Sequence, residues 1–352
     1  MRILSKDEIN RYIQQIRLPE IKIGGQEKIK NASALVIGAG GLGCPVLQYL
    51  TAAGVGTIGI MDNDWVDESN LHRQILYNVN DLSKPKPLAA MEKLEILNPN
   101  VDFKIHFSRL NTKNSLKILS DYDIIVDCTD NFPSRYLISD SCVILNKPEV
   151  YGAVHKFSGQ AMVLNHNGGP TLRCLYPIQP EPLAVSSCEE YGVIGTITGL
   201  IGSIQASEVL KIVLGLDNIL SGKIFMIDLL NLNTQVTSFE RNAEVCNIKE
   251  LGEYERNAAK LKPVNEITAS DLKKLISKNP QIKVIDLRDE EDMSDIGFET
   301  VTIPHYEIGH KIKILAGTTP VVFHCKTGSR SMNVINYLRE IHNLENLYSL
   351  IL

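Results

Sequence analysis

The segment Gly38-Ala39-Gly40-Gly41-Leu42-Gly43 directly follows the apolar run Ala34-Leu35-Val36-Ile37 and directly precedes the helix-like stretch GCPVLQYLTAAGV. A strand, a glycine loop and a helix in that order let the backbone turn tightly and approach a phosphate at the positive end of the helix dipole. The surrounding pattern repeats the alternation. TIGIMDND, VDFKIHF, DIIVDCTD and KFSGQAMVLN read as strands, and PLAAMEKLEIL reads as a helix. GVIGTITGLIGSIQASEVLKIVLGL reads as a long packed helix and KIFMIDLLNLNTQVTSFE as a closing hairpin. Strands alternating with helices predict an α/β fold with a doubly wound, Rossmann-like parallel sheet.

A chain of 352 residues is long for one core and predicts about two domains. Residues 1–246 are expected to form the nucleotide domain. A polar stretch, 247–264, reads as a linker, and 265–352 restart the alternation as a small α/β domain (ASDLKKLISKN, IKVIDLRD, PVVFHC, SMNVINYLREI). The net charge of −5 argues against a nucleic-acid partner, because phosphate backbones need a basic surface. The uncharged run Tyr191 to Ser207 contains four glycines and falls short of the ~20 residues of a bilayer span, so a buried core helix is expected and no membrane partner. The N-terminus has no apolar run of the signal-peptide kind. Seven scattered cysteines, an odd number, then predict a reduced, cytoplasmic protein without a disulfide framework.

Gly38, Gly40, Gly41 and Gly43, with Asp62 closing the next strand, would equally suit a dinucleotide dehydrogenase. The continuation weighs against that. Asp62-Asn63-Asp64-Trp65-Val66-Asp67-Glu68-Ser69-Asn70-Leu71-His72-Arg73-Gln74 is a polar loop bearing a guanidinium, Lys86 opens the following helix, and Asp130 closes DIIVDCTD. Arg73 and Lys86 suit phosphate oxygens and Asp130 suits magnesium, a set that nucleotide cleavage needs and hydride transfer does not. His72 and Trp65 are expected to be packing residues.

GAGGLG, DNDWVDESNLHRQ, DCTDN and SSCEEYGVIGTITGLIGSIQASEVLK together resemble the MoeB/ThiF/HesA branch of the ubiquitin-activating-enzyme-like superfamily, from about Arg11 to Arg241. The resemblance implies that the glycine loop, Asp62, Asp64, Asn70, Arg73, Gln74, Lys86, Asp130 and Asn131 hold ATP, with magnesium on Asp130. It implies adenylation of the C-terminal glycine of a small ubiquitin-like sulfur carrier of the MoaD/ThiS type ending in Gly-Gly, and a homodimer with a contact near Gly195 to Ser203. It also places a covalent loop cysteine at Cys188.

Cys325 follows the strand PVVF in HisCysLysThrGlySerArgSer, where backbone amides, Lys326 and Arg330 would favour a thiolate or persulfide. Four residues separate Cys325 from Arg330, one short of the phosphatase spacing. KVIDLRDEED, VTIPHYEI and VVFHCKTGSRS resemble a rhodanese, with Asp286 and Arg288 bracing the loop. The fused arrangement is that of adenylyltransferase–sulfurtransferases, which implies a sulfur donor such as a cysteine desulfurase and a thiocarboxylate product. The pattern departs from such relatives in several places. Of two zinc-binding CxxC pairs, Cys174 and Cys246 remain, with His166 nearby, so zinc is not expected. Gln14 replaces the arginine of an RYxRQ motif that relatives offer a partner subunit, with Arg17 a possible substitute. GHIPGA has become DIGFETVTIPH, and the chain stops at NLYSLIL. Two further readings stay open: adenylation of a different peptide or carrier, and a catalytically decayed nucleotide-binding partner protein.

Overall fold

Strand β1 (Ser33–Ile37) lies inside its sheet and is apolar on both faces, so successive residues serve two cores. Ala34 and Val36 join one cluster, and Leu35 and Ile37 the other, as the period of two dictates. The computed structural model describes residues 2–179, 192–254, 264–288, 295–308, 311, 315, 320–325, 328–342 and 344–351. They fall into two units, residues up to 254 and residues from 264 onward.

In the first unit, β1 pairs in parallel with β2 (Thr57–Asp62) and β4 (Ile124–Asp127), with Ala34 opposite Ile58 and Ile124. β3 (Asp102–Phe107) and β5 (Glu149–His155) extend the parallel part. β6 (Ser158–Leu164), β7 (Lys223–Asp228) and β8 (Asn233–Ser238) continue it antiparallel, giving the order β3-β2-β1-β4-β5-β6-β7-β8. The helices Gly43–Ala53, Lys86–Leu97 and Gly195–Leu214 contribute to one core and Phe132–Leu145 to the other. Two elements escaped the pattern reading. β5 lacks clean alternation, and the helix Phe132–Leu145 begins with a cap at Asn131 and a proline in its first turn rather than with an apolar stripe.

The helix Gly195–Leu214 is long and apolar enough to cross a bilayer, yet Ile197, Ile201 and Val209 are fully buried in the first core. Gly195 and Gly202 pack against this chain's own His72, Leu42 and Pro45 backbone and side chains, whereas Gly199 faces open space. Two expectations shift. β4 ends at Asp127, so Asp130 sits in the turn before the next helix rather than on the strand. The polar stretch 247–254 packs on the first unit instead of linking: Tyr254 is buried and its hydroxyl donates to Asp140 Oδ2 at 2.7 Å. One buried aromatic outweighs a polar composition.

The second unit is a five-stranded parallel sheet of β9 (Asn265–Thr268), β10 (Lys283–Asp286), β11 (Val301–Thr302), β12 (Val321–His324) and β13 (Leu347–Ile351), ordered β11-β10-β12-β13-β9. Thr268 and Asp271 form a capping box for the helix Ala269–Lys278. The tail sequence NLYSLIL supplies β13, an interior strand hydrogen-bonded on both sides.

Candidate active site

The turn after β1 is built by sterics. Gly38 has φ of +96°, and a Cβ on Gly43 would stand 1.9 Å from the Gly38 carbonyl, so side chains are excluded at both positions. No side chain caps the helix that starts at Gly43, which leaves its positive end to the loop. That loop lines a cavity of about 350 Å³ at the carboxyl edge of the parallel strands, where a doubly wound sheet binds its ligand.

Gly38, Gly40, Gly41, Asp62, Asp64, Asn70, Arg73, Gln74, Lys86, Asp130 and Asn131 all line this cavity. Gly43 does not; it shapes the turn from behind. Asp62 is oriented by two amides, accepting from Ala39 N and from Asp64 N, each at 2.8 Å. Arg73 Nη2 donates to Asn70 Oδ1 at 2.6 Å, and His72 Nε2 lies 2.9 Å from its other nitrogen. His72 therefore supports the guanidinium from an exposed position rather than packing in a core, and Trp65, also exposed, stacks edge-on against Phe107. Lys86 is buried and its Nζ donates to the exposed Asp64 Oδ2 at 3.0 Å. Asn131 accepts from Ser134 N at 3.0 Å as a helix cap and donates to Asp130 Oδ1 at 3.3 Å.

Other lining residues carried no sequence signal of their own. Arg109 follows β3, Thr129 and Arg135 frame the Asp130 turn, and Thr198 comes from the long helix. Arg135 Nη2 donates to Thr129 O at 3.1 Å. Gln205 Nε2 donates to Asp127 O at 2.8 Å and Val150 O at 3.2 Å, tying the strand ends to the helix. Behind the turn, burial raises the carboxyl pKa of Asp127 despite Arg135 and the Thr129 hydroxyl. Burial, with the Asp127 charge adding to it, also holds Glu149 well above the carboxylate range.

The residues fit a nucleotide. Gln74 Oε1 is buried on the cavity wall with no hydrogen-bond partner, and two cations and an uncapped helix end face the same space. An exposed carboxylate in the turn after β4, Asp130, suits a magnesium ion that also rides on phosphates.

The family model for the ThiF family matches residues 12–248. This chain belongs to the ThiF family. The sulfur carrier protein adenylyltransferase of Thermus thermophilus is 45% identical to this ThiF-family chain over 71% of its length and 97% of the relative's. The adenylyltransferase and sulfurtransferase MOCS3 of Drosophila yakuba is 36% identical over 98% of this chain and 82% of the relative. The probable adenylyltransferase/sulfurtransferase MoeZ of Mycobacterium tuberculosis is 36% identical over 94% and 88%. The last two matches take in the second unit, so the ThiF part and its rhodanese-like companion form an arrangement shared with relatives. In fold, a crystal structure of E. coli MccB with ATP superposes with a TM-score of 0.60 at 20% identity, covering 70% of this chain and 76% of the other.

In the second unit, Cys325 directly follows β12 and is buried. Its Sγ receives Ser331 N at 3.4 Å and lies 3.6 Å from Ser331 Oγ, which in turn is 2.6 Å from Ser349 Oγ of β13. Arg330 lies in the first turn of the helix Ser329–His342. Arg288 grips Asp286 in a bidentate pair, with Nη2 to Oδ2 at 2.7 Å, and Leu287 N donates to His324 O at 2.9 Å. Cys188 and Lys326 lie outside the described residues.

Among the described residues, the side chains around Cys174 and Cys246 do not make up a zinc-binding set. Cys174 and Cys246 come together, but the third neighbour is the hydroxyl of Thr171, a poor zinc donor. His166 turns to Asn167 Nδ2 at 3.0 Å. Among the described residues no group of three His, Cys, Asp or Glu side chains could hold a metal. Gln14 and Arg17 are exposed, with Arg17 Nη1 donating to Gln14 Oε1 at 3.3 Å, and neither lines this chain's own cavity.

Proposed function

We propose that this ThiF-family protein adenylates the C-terminal glycine of a ubiquitin-like sulfur-carrier protein and then supplies sulfur to it. The observation that carries this reading is the convergence on one cavity of a glycine turn after β1, Asp62, Arg73 and Lys86 from the end of β2 and the loop and helix beyond it, and Asp130 from the turn after β4. The names of relatives that match nearly the whole chain support it.

Asp62 is pre-set by two amides to accept ribose hydroxyls. Arg73, steadied by Asn70 and His72, and Lys86, currently paired with Asp64, face the phosphates. When the carrier's carboxylate attacks the α-phosphorus, pyrophosphate leaves and an acyl-adenylate forms. The fixed cations favour the charge that develops in that step without having to reorganise. Magnesium, held by Asp130, would supply charge neutralisation on the phosphates. The terminal sulfur of a Cys325 persulfide then attacks the acyl carbon and AMP leaves, giving an acyl disulfide on Cys325; a second thiol, for which Cys188 is our candidate, attacks Cys325 Sγ, the thiocarboxylate departs, and a small-molecule thiol reduces the protein disulfide that remains. A cytoplasmic homodimer charged by a cysteine-desulfurase-type donor completes the proposal.

The test is ATP–pyrophosphate exchange in the presence of glycine-tailed carriers, followed by intact-mass analysis of the carrier. Exchange that depends on the carrier, with a thiocarboxylate appearing once a sulfur donor is added, is the expected result. Nucleotide binding without exchange for every such carrier would sink it in favour of a binding protein.

A further inference from the structure

The two short helices Leu172–Leu175 and Ala243–Cys246 bring Cys174 and Cys246 face to face, with Sγ 2.7 Å from Sγ. Non-bonded carbon atoms rest at ~3.5–4.0 Å, and sulfur is larger, so two neutral thiols gain little from this approach. A bond of ~2.05 Å lies a short movement away. The surroundings supply donors. Thr171 N and Asn242 N point at Cys174 Sγ at 3.3 and 3.4 Å, and Thr171 Oγ1 sits 3.2 Å from Cys246 Sγ. Cys174 is half-buried and Cys246 is 1% exposed. Burial alone dominates at Cys44, Cys128 and Cys142, whose thiols are pushed up.

We propose that Cys174 and Cys246 form a reversible dithiol–disulfide pair, a redox modification site between the two short helices. Cys174 is the attacking thiolate, because it is the accessible one and the one served by amides. It attacks one sulfur of a low-molecular-weight disulfide. The S–S bond of that disulfide breaks, a mixed disulfide forms on Cys174 and one small thiolate departs. Cys246 gives its proton to solvent, attacks Cys174 Sγ and expels the second small thiolate. Two electrons pass from the protein pair to the oxidant, which leaves as two thiols.

The bond would join residues 72 apart in sequence. The closed loop includes Cys188 and the helix Gly195–Leu214, whose Thr198 lines the nucleotide cavity. Oxidation therefore cross-links the two short helices as a metal would, and constrains the unfolded chain.

The experiment uses the full chain, reduced and then equilibrated with oxidised glutathione, followed by differential alkylation and peptide mass spectrometry. We expect a Cys174–Cys246 cross-linked peptide, reversed by dithiothreitol, and a Tm higher in the oxidised state by roughly 5–15 °C. The Cys246→Ser variant should retain one glutathione on Cys174, since the resolving thiol is gone. Two results overturn the proposal: both cysteines staying fully alkylatable in the wild-type chain after oxidation, or the purified chain carrying one zinc ion whose removal alone unmasks them. The wild-type measurement decides even if the variant fails to fold.

Discussion

The glycine turn after β1 and the Cys325 turn after β12 share one local design, a parallel strand running into a helix, yet they are furnished in opposite ways. Around the first, the working groups are imported: Asp62 from the end of β2, Arg73 and Lys86 from the loop and helix beyond it, and Asp130 from the turn after β4. Around the second, the proposed sulfur carrier Cys325 directly follows its strand, and its contact is near in sequence, Ser331, which is itself held by Ser349 of the adjacent strand. The difference teaches what each chemistry demands. Cleaving a triphosphate needs several charges fixed at separate points, whereas carrying one sulfur atom needs a single positioned thiolate.

Separate replacement is the strongest way to break this comparison. Cys325→Ala should abolish sulfur transfer to the carrier, while carrier-dependent pyrophosphate exchange stays within about twofold of wild type, because a nucleophile has no replacement within its turn. Asp130→Ala should do the reverse. We expect exchange to fall by ~10³-fold or more, about 4 kcal/mol, with sulfur uptake by Cys325 from thiosulfate intact. Pyrophosphate exchange and sulfur uptake from thiosulfate failing together in either variant would deny that the two turns work independently.

A smaller effect sharpens the account of the imported site. Gln205→Leu removes the donor to the carbonyls of Asp127, at the end of β4 before the Asp130 turn, and of Val150 in the neighbouring β5. The cost should be about 2–4 kcal/mol, read as a fall in Tm of roughly 5–12 °C, with exchange reduced and sulfur uptake by the second unit unchanged. The smallest concerns pH. Glu149 has a folded pKa well above its unfolded value of ~4.3, because it is buried beside Asp127. A carboxyl shifted upward contributes stability below its unfolded pKa, and that stability is lost as the pH rises through the folded value. Glu149→Gln should therefore raise Tm at neutral and alkaline pH, with the gain shrinking toward pH 4 in a melting series. A gain that does not vary with pH would point to packing rather than ionisation.

Much of this was legible in the residues. The strand–glycine–helix order, the acid at Asp62 and the cations at Arg73 and Lys86 are local in sequence, so their types and spacing expose their chemistry. Asp130 stands out in the sequence for the same reason and lines the same cavity, though it was expected on a strand that stops three residues earlier. Arg109, Arg135, Thr198 and Gln205 were invisible as site residues, because each is an ordinary residue whose role comes from an element distant along the chain. The expected boundary near residue 246 failed at Tyr254 because composition averages over a segment, while one buried ring decides where it packs.

The sequence by itself determined the alternating layers, the phosphate-binding turn and the set of charges, since periodicity, glycine sterics and residue chemistry act over a few positions. The tertiary structure alone decided that those charges share one cavity and that Asp64 holds Lys86. It alone decided that Cys174 meets Cys246, 72 residues along the chain. Such meetings depend on how the sheet orders its strands, and strand order is set by packing of the whole unit rather than by any segment within it.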